Sequence, residues 1–198
     1  MSSFAATHPT LLTRFWPNSS IARNALICVA GSLLMVAAAK VKVPFWPVEM
    51  TMQTFAVMVI GMTMGWRLGG ATIALYLAQG AAGLPVFTGT PEKGIGIAYM
   101  MGPTGGYLLG FLLAAMLVGW LAERGWDRSF LLAPLAMLAG LVAIYVPGLL
   151  HLVGLFGIEK PILEWGLYPF LAGEAFKMAL AAAMLPLAWK AAKGADRE

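Results

Sequence analysis

Apolar residues gather along this chain into six stretches, approximately 21–39, 50–65, 67–85, 104–122, 130–150 and 167–189. Each lies near the ~20 residues that an α-helix needs to cross ~30 Å of hydrocarbon. The second is short for a full span, and it meets the third through Gly65-Trp-Arg-Leu-Gly-Gly, which leaves room only for a tight turn. Asn18-Ser-Ser supplies a cap for the first stretch. The pattern predicts an all-α fold: one polytopic membrane domain over residues 1–198, built as a bundle of six transmembrane helices. No internal repeat of convincing length is visible, which weighs against an inverted-repeat transporter.

Composition sharpens this picture. Hydrophobic residues make up 60% of the 198 and charged residues 11%, where a soluble domain carries roughly 25% charged. A soluble core of this size cannot hide that much apolar surface. The formal charge of +4 therefore reads as membrane orientation rather than nucleic-acid binding. Six crossings put both termini on one side, with Arg14, Arg23, Arg67, Arg124, Arg128, Lys190, Lys193 and Arg197. The opposite side holds Lys40, Lys42, Lys93 and Lys160. Acidic residues divide evenly, so the Lys/Arg bias alone places both termini in the cytoplasm. Cys28 has no partner cysteine and reads as a small packing residue. Met1 to Trp16 lack the pattern of a secretory signal, so the first spanning helix is expected to direct insertion.

Connections differ between the two sides. Those at 65–69 and 122–129 are short, whereas 41–49, 84–106 and 154–166 are longer and rich in Pro and Gly. Irregular backbone beside a membrane is tolerated where it lines or covers a cavity, so a pocket opening outward under a lid of loops is expected.

Candidate chemistry is concentrated in a few places. Glu174 and Lys177 sit inside the last apolar stretch, three residues apart and so on one helical face. They are read either as an internal ion pair holding the bundle together or as a grip on a polar ligand. A carboxylate takes N–H groups and an ammonium donates to a carbonyl, which suits a urea or amide head. Gly173 removes a side chain where a ligand ring would approach. Gln53, at the entrance of the second stretch, either bonds to a neighbouring helix or offers a donor and an acceptor to an amide-like ligand. Phe87, Thr88 and Gly89 bring a ring, a hydroxyl and flexible backbone to the loop 84–106, to which Tyr99 and Tyr107 add amphipathic rings. Gly105 and Gly106, in Gly102-Pro-Thr-Gly-Gly-Tyr107, either start a closely packed helix or line a pocket.

Catalysis finds little support. His8 and His151 belong to no metal-ligand cluster, and neither a nucleophile elbow nor a Walker-type loop is present. No cofactor is expected, and the chain does not hydrolyse ATP itself. An intramembrane enzyme using Glu174 as acid/base would need a second catalytic group, for which Gln53 is a weak candidate. A purely structural subunit would bind no small molecule.

The motifs Pro47-Val-Glu-Met-Thr-Met-Gln53-Thr-Phe-Ala-Val, Gly65-Trp-Arg-Leu-Gly-Gly, Tyr76-Leu-Ala-Gln-Gly-Ala-Ala-Gly-Leu-Pro-Val-Phe87-Thr-Gly, Gly102-Pro-Thr-Gly-Gly-Tyr107 and Gly173-Glu-Ala-Phe-Lys177 run in order over about residues 40–180. In these the chain resembles the BioY family, substrate-binding S components of energy-coupling-factor biotin transporters. The resemblance implies six helices with cytoplasmic termini, a bacterial cytoplasmic-membrane location and a biotin pocket near the outer surface. Glu174 would receive the ureido N–H groups, Lys177 would donate to the ureido head, and the loop 87–107 would cover the bicyclic ring. It further implies membrane lipid, a transmembrane coupling subunit and ATPase subunits as partners, with a small-residue face on the first helix for docking. A solitary transporter, or an S component for another amide-containing vitamin, is the alternative. Two departures stand out. The family commonly has Asp where this chain has Glu174, and some members place an Arg after the Gly-Gly-Tyr run, for the valerate carboxylate, where this chain has Leu108. Lys93 or loop N–H groups are the substitutes on offer.

Overall fold

A computed structural model describes residues 8–43 and 49–194. Pro47 and Val48 of the first loop motif, and Asp196, Arg197 and Glu198 of the terminal charge pattern, lie outside the described residues. The chain is a helical, multi-pass membrane protein. The first helix, α1 (Leu11–Phe15), was not expected from the apolar pattern; Thr10 caps it by accepting from the Thr13 N–H at 3.4 Å. The long helix α2 (Ile21–Lys40) opens as anticipated, with the Ser20 hydroxyl accepting from the Arg23 N–H at 3.1 Å. A two-residue antiparallel ribbon follows, β1 (Lys42–Val43) on β2 (Met50–Thr51), pairing Lys42 with Thr51 and Val43 with Met50.

The second and third apolar stretches form one element, α3 (Gln53–Ala81), which doubles back at Gly65, where φ is 80° and ψ 174°. Only glycine adopts that conformation without strain. The two arms then approach so closely that a β-carbon on Gly69 would lie 3.1 Å from the Gly61 Cα. Arm 53–64 reaches only about 18 Å at 1.5 Å per residue, short of a bilayer's hydrocarbon. The Glu123 carboxylate accepts from the Trp66 N–H at 3.3 Å and so caps the second arm.

A short helix α4 (Gly96–Met100) lies in the long loop, before α5 (Gly105–Ala122). A 3-10 turn at Trp126–Arg128 leads into α6 (Leu132–Phe156), and α7 (Ile162–Gly166) precedes α8 (Tyr168–Gly194). Both α6 and α8 outrun the expected ends at 150 and 189. The apolar pattern marks only what lipid touches, whereas helix geometry continues until Gly157 turns the backbone to φ 89°. Counting the bent α3 once, five segments among the described residues are long and apolar enough to cross a membrane.

The α3–α5 interface is the most extensive, followed by α5–α6 and α2–α3, with α8 laid across α3 and α6. Large apolar side chains such as Leu26, Leu33, Leu113, Val142, Leu150 and Leu187 point outward, while Ala, Gly and Met fill many interior positions. Without a hydrophobic drive between helices in lipid, small residues and buried polar contacts must hold the bundle. At one end meet both ends of the described chain: Arg128 donates to the Pro9 carbonyl at 2.7 Å and the Trp189 indole to Asp127 at 2.5 Å. At the other end gather the ribbon, the 84–104 loop and α7.

Candidate ligand-binding site

The loop end of the bundle is built around Phe87. Its ring is almost completely buried, stacked on Tyr99 at 5.1 Å between centroids and meeting the edge of Tyr76 at 5.4 Å. Gly80, one turn above Tyr76, makes this possible, because a β-carbon there would overlap the Phe87 ring. The Tyr99 hydroxyl donates to the Thr88 carbonyl at 2.6 Å; burial pushes this phenol's pKa up. From the end of α2 the Lys40 ammonium donates to the carbonyls of Pro85, Phe87 and Thr90 at 3.1–3.3 Å. That lysine pins the loop as a lid.

Beneath the lid lies a pocket whose non-atom space, open mouth included, is about 500 Å³. Its walls are largely aromatic and aliphatic: Phe87, Tyr99, Tyr107, Leu108, Phe111, Ile144, Tyr145 and Phe170. Polar groups come from Glu49, Thr51, Gln53, Thr54, Thr88, Thr104 and Glu174.

At the deep end, Glu174 is 4% exposed. Its Oε1 accepts from the Thr54 hydroxyl at 2.9 Å, the Lys177 ammonium at 3.0 Å and the Tyr145 hydroxyl at 3.3 Å. No donor among the described residues reaches Oε2. Lys177 in turn places its three donors on the Thr51 carbonyl at 2.6 Å, the Thr54 hydroxyl at 2.9 Å and Glu174. Both readings of this pair therefore meet in one cluster: it ties α8 to α3, and it leaves one carboxylate oxygen available.

Of the residues singled out from sequence, Gln53, Phe87, Thr88, Tyr99, Tyr107 and Glu174 line the cavity together. The Gln53 side chain is nonetheless engaged at both ends, donating to the Tyr76 hydroxyl at 2.7 Å and accepting from Thr51 at 3.2 Å. Lys177 stands behind Glu174 rather than on the wall. Gly89, Gly105, Gly106 and Gly173 do not line the cavity. Gly105 and Gly106 sit against Met100, Pro147 and His151, so close helix packing accounts for them. Gly173 faces the Met50 sulfur, and Gly89 turns the loop with φ 69°. Tyr107 donates to the Gly166 carbonyl at 2.8 Å, and His151 bonds to the Gly102 carbonyl at 3.0 Å, so both also tie loops to helices.

Sequence reasoning missed Tyr145, Thr54 and Glu49 as site residues. Tyr145 had a signal, a phenol in the middle of an otherwise apolar run. Glu49 sits at the cavity mouth with its side chain 8% exposed, between Lys93 at 2.9 Å and Lys42 at 3.3 Å. The Thr88 hydroxyl donates to it at 2.6 Å. Burial raises its carboxyl, but the Thr88 hydrogen bond and the two ammoniums prevail and hold its pKa below the ordinary value. Among the described residues no group of three His, Cys, Asp or Glu side chains is placed to hold a metal ion.

A family model described as "BioY family" matches residues 8–194. The biotin transporter BioY of Thermotoga maritima is 36% identical over 149 residues, covering 75% of this chain and 85% of that one. The probable biotin transporter BioY of Pyrococcus horikoshii is 36% identical over 143 residues, with 72% and 82% covered. Among solved structures, the crystal structure of the S-component for biotin from an ECF-type ABC transporter superposes with a TM-score of 0.73. It covers 87% of this chain and 95% of that one at 21% identity, a likeness of fold.

Proposed function

Because the chain belongs to the BioY family, we propose that it binds biotin in this cavity and carries it into the cell as the S component of an ECF-type transporter. The observation that carries the reading is the half-used Glu174 carboxylate: Oε1 is saturated by protein donors, and Oε2 is left open in an apolar, aromatic enclosure. A ureido ring presents a carbonyl oxygen flanked by two diverging N–H donors. Oε2 accepts one ureido N–H in a charge-assisted bond, and Lys177 orients the carboxylate through Oε1 at 3.0 Å while adding positive potential at the head-group end of the cavity. Phe87, Tyr99, Tyr107 and Phe170 enclose the bicyclic ring.

The remaining assignments extend this reading. The excess of Lys and Arg at the end holding the termini favours a cytoplasmic placement there, in a bacterial cytoplasmic membrane, with the lid facing out. A chain without a phosphate-binding loop needs ATPase subunits and a transmembrane coupling subunit to supply energy. Transport, not catalysis, is the activity. Equilibrium binding of labelled biotin to the purified protein tests the proposal, with desthiobiotin and Glu174→Gln as comparators. Saturable binding in the nanomolar to micromolar range, weakened at least tenfold by Glu174→Gln, is expected. Absence of saturable binding sinks it.

A further inference from the structure

The cavity mouth holds a charge arrangement that the ring-binding floor does not explain. Two ammoniums, Lys42 and Lys93, share the single carboxylate of Glu49, at 3.3 and 2.9 Å. That trio carries a net charge of +1. We propose that Lys93 is the receiving group for the carboxylate at the end of the ligand's tail, and that Glu49 is its built-in competitor, exchanged when that carboxylate arrives. This rests on the biotin reading above.

Three observations carry the assignment. First, the main cavity abuts a second cleft whose non-atom space, open mouth included, is about 610 Å³, and Glu49, Thr88, Tyr99 and Thr104 form the wall the two share. Lys93 lines the second cleft and not the first. A ligand with its polar head at Glu174 directs a flexible apolar tail toward this shared wall, on whose far side Lys93 lies.

Second, Lys42, which shares Glu49, lines neither pocket, and two further lysines near the site are already engaged. Lys177 has three acceptors within 3.0 Å, and Lys40 is held by carbonyls of the lid. Lys93 has Glu49 as its ion-pair partner and is half exposed. An ion pair so open on the lysine side is weak and readily exchanged.

Third, the exchange leaves no orphan. When Lys93 turns to an incoming carboxylate, Glu49 keeps Lys42 and the Thr88 hydroxyl at 2.6 Å. Gly89 sets the lysine's starting position. The Lys93 N–H closes the turn on the Gly89 carbonyl at 2.8 Å, and a β-carbon on Gly89 would press within 2.8 Å of the Lys93 stem. Leu108, on the cavity wall, offers no charge for this purpose.

The test compares biotin with biotinamide, whose tail is neutral, by equilibrium binding to the full-length protein and to Lys93→Gln, Lys93→Arg and Glu49→Gln. The wild type is expected to prefer the acid by about tenfold or more, as a charge-assisted contact implies. Lys93→Gln removes that preference while changing biotinamide affinity less than about twofold, and Lys93→Arg restores it. Glu49→Gln, which removes the competitor, raises acid affinity severalfold relative to the amide. An unchanged acid-to-amide ratio in Lys93→Gln overturns the assignment of Lys93. Equal losses for acid and amide in Glu49→Gln overturn the exchange, leaving Glu49 a structural brace. A wild type that binds neither compound overturns the biotin reading itself, an outcome distinct from both.

Discussion

Gly80 and Phe87 are complementary: the missing side chain of one is the space that the ring of the other fills. The second arm of α3 and the lid loop meet at this contact, and the Phe87–Tyr99 stack forms part of the cavity wall. Replacing Gly80 with alanine forces the ring out of its slot. Overpacking of this kind costs about 1–3 kcal/mol. Gly80→Ala is expected to lower the melting temperature modestly and biotin affinity by tenfold or more. Thermal unfolding in detergent and equilibrium binding on the same preparation check both parts.

The buried Glu174–Lys177 pair predicts strong non-additivity. Removing one member of a buried pair strands the other and costs about 3–5 kcal/mol. Lys177→Met and Glu174→Gln should each destabilise the protein markedly, whereas the double variant should lose less than the sum. A double-mutant cycle on thermal or denaturant stability measures the coupling. An additive result would show that Thr54 and Tyr145 satisfy either partner alone.

Lys40 holds the lid through three carbonyls and the Thr90 hydroxyl and does not line the cavity, so its loss should alter rates more than the cavity itself. Lys40→Met is expected to speed biotin dissociation about tenfold, the effect of losing roughly 1.4 kcal/mol of charged hydrogen bonding. Stopped-flow or chase kinetics report it. Unchanged dissociation would mean that the Phe87 packing alone fixes the lid.

Two acids outside the spanning segments predict opposite pH limbs. The Glu49 carboxyl lies below its ordinary 4.5, so its contribution is present above that value and is lost as pH falls through the folded-state value. Glu49→Gln should flatten that acid limb of the stability profile.

Asp127 behaves in the reverse sense. Burial drives its carboxyl from 3.8 up to about 6, against the Trp189 hydrogen bond and the Arg128 charge, and its Oδ1 is buried without a partner. A raised acid favours the folded state below pH 3.8 and progressively loses that advantage as pH rises to about 6. Above that, the charged form costs on the order of 3 kcal/mol. Asp127→Asn keeps an acceptor for Trp189 and should raise the melting temperature at pH 7.5, with the gain shrinking toward pH 4. A melting-temperature series across this range checks it.

The sequence showed the spanning elements because lipid imposes a pattern on every helix it touches. The apolar stretches coincide with α2, the two arms of α3, α5, α6 and α8, and Gly65 announced the turn between the arms. It showed Glu174 and Lys177 because charge inside an apolar run is rare. Thr54 and Tyr145 left weaker traces. A single hydroxyl is cheap in a helix, and its meaning comes from a partner 120 positions away in the chain for Thr54, and 29 for Tyr145. Glu49 looked like one of several loop carboxylates until folding set it between two lysines from different segments. Gln53 was identified by position, yet its amide bonds to Tyr76 and Thr51, a distinction that only tertiary contacts make.

The cluster at Thr51, Thr54, Glu174 and Lys177 has a consequence for how such a chain can change over time. Helices in lipid are joined by the few polar contacts they share, and here the contacts joining α8 to α3 include the group that recognises the ligand. A substitution that retunes selectivity at this point also loosens the joint, and one that strengthens the joint occupies the recognition group. Selectivity can drift freely only at the rim, where Glu49 and Lys93 support no helix–helix contact.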